Sequence, residues 1–159
     1  MALALGLAMS LMACTATQQS AAVGTDFAHR ATDVCRTALA AKQAWDAFPV
    51  ASFDPTTPNP SALPVVADWL DEQVTPTFTA WEADLRDLGA PPTGQERWKA
   101  MLGPIHTIVQ ANADQVAAAR SGDADAFAAA TAVLQAAQAG LERAAAVVGA
   151  PACAEVHDG

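Results

Sequence analysis

Alanine is the residue that most constrains this chain, because it fills 41 of the 159 positions. Alanine is the best helix former, whereas aromatic residues make up only 6% of the chain and tyrosine is absent. This composition excludes an all-β sandwich and argues against a doubly wound α/β domain, whose buried strands need runs rich in valine and isoleucine. A 52% hydrophobic content is enough to bury the core of a single domain. We therefore predict an all-α domain.

The charge balance bears on the partners of the protein. The formal net charge is −9, with 17 acidic residues and only eight basic ones. Contacts to phosphates need lysine and arginine, and no basic cluster occurs along the chain. We therefore predict no nucleic-acid partner.

Apolar residues recur every three or four positions in four stretches, as on one face of a helix. The stretches span 26–47, 61–88, 94–120 and 124–148. Mostly short connections between them predict an up-down-up-down four-helix bundle over residues 26–159. Pro76 and Pro104 fall inside the second and third helices and are expected to kink them.

Several local signals mark the ends of these helices. Thr93 and Glu96 have the spacing of a capping box and predict the start of the third helix. Asp123 is the expected cap of the fourth helix, and Gly149 its expected end. The tail 152–159 is predicted to be irregular.

The first thirteen residues form an uncharged, largely apolar run that ends in Leu11-Met12-Ala13-Cys14. A run of about 12 residues is too short to cross a bilayer, which needs about 20, but it fits the apolar part of a signal peptide. Its end resembles the lipobox of bacterial lipoproteins, in which a cysteine receives a diacylglycerol and the peptide is cut just before it. The resemblance implies a signal peptide at 1–13 and a lipidated Cys14 that anchors the protein to the membrane.

The N-terminus departs from the lipoprotein pattern at two points. Met12 is larger than the residue usually found there, and no basic residue precedes the apolar run, which predicts a start further upstream. The alternative is a short apolar helix that packs on the domain, with Cys14 as a plain thiol.

Residues 14–25 are small, mostly polar and uncharged, as in a flexible tether. All charged side chains follow Cys14, so the mature chain keeps the whole net charge of −9 and is repelled by anionic lipid headgroups. We therefore predict an extracytoplasmic domain that only its lipid anchors to the cell membrane. The alanine-, arginine- and aspartate-rich, lysine-poor usage is similar to that of small actinobacterial lipoproteins with a helical domain. That resemblance implies no activity.

Cys35 and Cys153 remain once Cys14 is set aside, and an even pair in an exported protein predicts a disulfide. In the predicted bundle the end of the fourth helix lies beside the start of the first, so the two cysteines would meet. The alternative is a catalytic thiol at Cys35, with His29 nearby. No Cys-x-x-Cys or Cys-x-x-Cys-His motif occurs, which excludes thioredoxin-like redox chemistry and covalent c-type haem attachment.

The proline-rich loop 48–60 is the most distinctive connection between the predicted helices. Phe53 and Asp54 lie between its prolines, and Trp69 falls beside the apolar face of the second helix. We interpret these three residues as the partner contacts of a non-enzymatic interaction or binding module, with an envelope protein as the predicted partner. The alternative is that the loop is a plain spacer, which only connects the first two helices. The other three tryptophans, at positions 45, 81 and 98, are predicted to lie in the core.

A small-ligand, haem or metal carrier is the second functional hypothesis. His106, with Asp68 and Glu72, is the candidate metal set, although each residue also fits a helix surface. Neither Glu-x-x-His nor His-Glu-x-x-His occurs, so we predict no cofactor and no catalytic residues. Helices rich in alanine approach closely, which leaves less room for a large cavity.

Overall fold

The computed structural model describes residues 21–156, and all regular secondary structure in this part of the chain is helical. The all-α prediction is confirmed. The α-helices are α1 (Thr25–Gln43), α2 (Leu63–Trp69), α3 (Thr75–Asp87), α4 (Gln95–Ser121), α5 (Ala124–Val148) and α6 (Ala152–Glu155). The predicted signal peptide, Cys14 and the first part of the tether lie outside the described residues.

The second predicted helix is helical from Leu63 to Asp87 but is not a regular α-helix throughout. A 3-10 turn precedes α2, and a π-helical turn over Leu70–Val74 joins α2 to α3 just before Pro76. Proline has no N–H to donate and its ring crowds the carbonyl four residues earlier, so at least one α-helical hydrogen bond is lost at Pro76. Two threonine hydroxyls add hydrogen bonds to the backbone of this turn. Thr75 donates to the carbonyl oxygen of Leu70, and Thr77 donates to that of Gln73. By contrast, α4 continues through Pro104 as one helix.

The predicted helix ends are partly right. Asp123 caps α5, since its Oδ1 accepts the N–H of Ala126 at 2.9 Å, and Gly149 ends that helix. The predicted capping box at Thr93 is wrong. Gly94 takes the N-cap position with φ 72°, and the Thr93 hydroxyl donates to the carbonyl oxygen of Ala22 at 2.9 Å.

The predicted disulfide between Cys35 and Cys153 is confirmed. It ties α1 to α6, a short helix in the segment that the sequence predicts to be irregular. Both cysteines are fully buried, and the Trp81 indole N–H donates to the Cys35 Sγ at 3.3 Å. A sulfur held in this bond is not a free nucleophile, so the structure does not support a catalytic thiol at Cys35.

The core lies between α1, α3, α4 and α5. Trp81 and Trp98 are buried as predicted, and Trp98 packs edge-on against Phe27 with ring centroids 4.8 Å apart. Trp45 and Trp69 are only half-buried. The prediction for Trp45 is right only in part, because this residue follows the end of α1 and packs at the edge of the core, with its ring centroid 5.8 Å from that of Phe78.

Candidate functional site

A cavity of about 530 Å³ lies between the loop 44–59 and α2, α4 and α5. Its volume falls in the usual range of small-molecule sites, roughly 300–1,000 Å³. Most of its wall is apolar or aromatic. The apolar lining residues are Trp45, Phe48, Phe53, Pro55, Val66, Trp69, Leu70, Val74, Phe78, Phe127 and Leu134. The expectation that alanine leaves less room for a large cavity is wrong here, because this space is bounded by large aromatic side chains of the loop and the helices.

Two tryptophans fix the loop to the helices. The Trp45 indole N–H donates to Thr77 Oγ1 at 3.0 Å, and the Trp69 indole N–H donates to the carbonyl oxygen of Asp46 at 3.1 Å. The two rings meet edge to face, with centroids 5.6 Å apart. One bond runs from the loop to a helix and the other from a helix to the loop, so the loop is packed against the helices.

Phe48 and Phe53 extend this aromatic contact across the cavity. The ring centroid of Phe48 lies 5.0 Å from that of Trp69 and 5.4 Å from that of Phe53. The ring centroid of Phe53 lies 5.7 Å from that of Phe127 on α5. Phe48 is 39% exposed, which places it where the cavity meets solvent. Two of the predicted partner-binding residues, Phe53 and Trp69, are thus brought together in one wall.

Asp54, the third predicted contact, is exposed and holds a turn. Its carboxylate accepts the Thr56 N–H at 2.8 Å and the hydroxyls of Thr56 and Thr57 at 2.6 and 2.8 Å. These hydrogen bonds stabilise the ionised form and lower the pKa of Asp54 to about 2. Asp54 therefore shapes the loop next to Phe53 rather than lining the cavity.

Two buried amides supply polar groups to the cavity. Asn112 and Gln115 on α4 are 2% and 6% exposed, and both line the cavity. Asn112 Nδ2 donates to Thr75 Oγ1, and Gln115 Nε2 donates to Thr131 Oγ1, each at 2.9 Å.

The threonine hydroxyls fix which way each amide points. A hydroxyl has one proton, and both protons are already used: Thr75 donates to the carbonyl oxygen of Leu70 and Thr131 to that of Phe127. Each hydroxyl must therefore accept from the amide nitrogen. The amide oxygens are consequently turned away from the threonines.

Asn112, Gln115, Thr75 and Thr131 were not predicted as site residues. A signal was present, since Asn112 falls on the predicted apolar face of the third helix and Gln115 lies three residues later. Polar residues on a buried face need partners, and that requirement points to a buried polar site.

The predicted metal set is not brought together. His106 is half-exposed, and its Nδ1 lies 2.9 Å from Glu82 Oε1, which also accepts from Arg86. Asp68 and Glu72 are exposed. Within residues 21–156, no group of three or more histidine, cysteine or carboxylate side chains is placed to hold a metal ion.

Comparison with protein-family models, curated proteins and solved structures finds no match for this chain. Among the described helices, none is long and apolar enough to cross a membrane. Function is therefore inferred from the cavity and its lining residues.

Proposed function

We propose that this protein is a lipid-anchored, extracytoplasmic binding protein without catalytic activity, which takes a small, mainly apolar molecule into the cavity under the loop 44–59. The observation that carries the proposal is the lining of the cavity, with six aromatic rings and two buried amides. The described residues that line it include no carboxylate, histidine or thiol. Binding is favoured over acid–base or nucleophilic chemistry for that reason.

The anchor is proposed to be Cys14. The Cys35–Cys153 disulfide supports export, because such bonds persist in oxidising compartments. The chain enters the domain beside the turn between α3 and α4, where Ala22 accepts the Thr93 hydroxyl. The 19 residues of α1 rise roughly 28 Å from this end, and the cavity lies at the other end of α1. An anchored protein would then hold the cavity away from the membrane.

We also infer that the helices form an up-down-up-down bundle in which α2 and α3 act as one bent segment and α4 is bent at Pro104. The two-residue connection between α4 and α5 supports this arrangement, since so short a turn favours antiparallel neighbours. The disulfide supports it as well, because it joins the chain after α5 to α1.

The binding proposal is tested with 2-methoxynaphthalene, a neutral apolar probe, by isothermal titration of the full chain. We expect one binding site. Leu134→Trp should weaken binding at least tenfold, because Leu134 lines the cavity and indole fills part of it.

Val133→Trp is the matched control, since Val133 is the neighbouring residue on α5 but is 49% exposed and outside this cavity. It should bind like the unmodified protein. Absence of binding by the unmodified protein, or equal loss in both variants, would contradict the proposal.

The anchor is tested by cell fractionation in a bacterium that lipidates exported proteins. Cys14→Ser should move the protein from the membrane to the soluble fraction, because the acyl chains provide most of the membrane affinity. Ala13→Ser keeps a small residue before the cysteine and should remain in the membrane fraction. Membrane association of Cys14→Ser equal to that of the unmodified protein would disprove the lipid anchor.

A further inference from the structure

We propose that the cavity selects mainly apolar molecules that carry a neutral hydroxyl group, and that Asn112 and Gln115 bind this hydroxyl. The inference rests on the proposed binding function and names the class of ligand. The two side chains lie three residues apart on α4, so they share one face of the helix. Both are more than nine-tenths buried and line the same cavity.

The hydrogen-bonding capacity of the amides determines the group that fits. Each amide uses one N–H on a threonine hydroxyl, Thr75 for Asn112 and Thr131 for Gln115. Among the described contacts of these two side chains, the carbonyl oxygen and the second N–H of each amide are left for a molecule in the cavity. A hydroxyl group matches this pair of groups, because it donates to the oxygen and accepts from the N–H.

The surroundings exclude other ligand groups. A hydrocarbon or an ether has no proton to donate, so it would cover the amide oxygens and leave buried acceptors unpaired, which costs binding free energy. A carboxylate likewise has no proton to donate, so it would leave the amide oxygens unpaired even though Lys42 also lines the cavity and carries a positive charge. The remaining wall is mainly apolar, with Lys42 and Gln138 as its further polar residues, so most of the rest of the ligand is expected to be apolar.

The first test compares 2-naphthol with 2-methoxynaphthalene on the full chain by isothermal titration. The two probes share the same ring system, and only 2-naphthol can donate a hydrogen bond. We expect 2-naphthol to bind about tenfold more tightly, the effect of one net hydrogen bond in a buried site.

Gln115→Met and Asn112→Leu locate the source of this preference. Each replaces an amide by an apolar side chain of similar size, and each threonine hydroxyl keeps its bond to the helix carbonyl, so no buried donor is left unpaired. We expect either variant to reduce the preference for 2-naphthol several-fold while 2-methoxynaphthalene still binds. Gln110→Met is the matched control, because Gln110 is an exposed residue of α4, and it should keep the full preference.

The outcomes separate this inference from the function on which it rests. Equal affinity of the unmodified protein for both probes would overturn hydroxyl selection and leave the apolar binding site in place. A preference unchanged in both amide variants would overturn the roles of Asn112 and Gln115. If neither probe binds, the binding function fails and the inference fails with it.

Discussion

Replacing Cys35 and Cys153 together by alanine should lower the free energy of unfolding by about 4–5 kcal/mol. The bond joins residues 118 positions apart, so its removal frees nearly the whole domain in the unfolded state. In the chain-entropy description, the stabilisation grows with the length of the loop that is closed. Urea unfolding followed by circular dichroism at 222 nm measures the difference.

A control is needed because the substitution also removes two buried sulfur atoms. The unmodified protein, unfolded and refolded with a thiol-free reductant, keeps both sulfurs but loses the crosslink. Its free energy of unfolding should be close to that of the double variant if the crosslink itself stabilises the fold. A loss below about 1 kcal/mol in both samples would show that the disulfide contributes little.

Gly94→Ala should destabilise the fold by about 3 kcal/mol, more than the same change at any glycine of similar backbone conformation in the described chain. Gly94 has φ 72°, which costs a residue with a side chain roughly 1–2 kcal/mol. A Cβ at this position would also lie 2.6 Å from the Val23 nitrogen and 2.8 Å from the Ala21 oxygen. These are backbone atoms, so relief requires the entering chain to move off the turn.

Gly122→Ala separates the two effects. Gly122 has φ 71°, but a Cβ there meets nothing within 4 Å. The control should therefore show only the conformational cost, about 1–2 kcal/mol, in the same urea unfolding experiment. Equal destabilisation by the two variants would show that the contact with residues 21–23 does not hold the chain entry in place.

Both experiments concern the end of the domain where the chain enters. If Cys14 is the anchor, the contact between Gly94 and residues 21–23 fixes the point at which the tether joins the domain. A weakened contact would lengthen the tether without altering the cavity near the far end of α1.

Features set by neighbouring residues could be predicted from the sequence. The helices follow from alanine content and apolar periodicity, and the cap at Asp123 needs only the N–H three residues later. Phe53 and Trp69 could be selected as site residues, since both are aromatic residues off the regular apolar stripes. The pairing of Cys35 with Cys153 followed from helix order, once Cys14 was set aside as the lipidated one of the three cysteines.

Features that depend on distant contacts could not be predicted in this way. The Thr93 hydroxyl bonds to Ala22, 71 residues earlier in the chain, so the local capping-box pattern is overridden. The helix α6 has four residues, too few for stability alone, and it forms where Cys153 is bonded to α1 and Val156 is buried. The orientation of Asn112 and Gln115 depends on threonines from two other segments.

The sequence by itself therefore determined an all-helical domain with one disulfide, because helix propensity, periodicity and cysteine number are properties of the chain alone. Only the tertiary structure decided that the loop 44–59 covers a cavity and that two buried amides line it. The reason is physical: a cavity is the space left between elements, and its size depends on how side chains such as Trp45, Phe53 and Phe127 meet across that space.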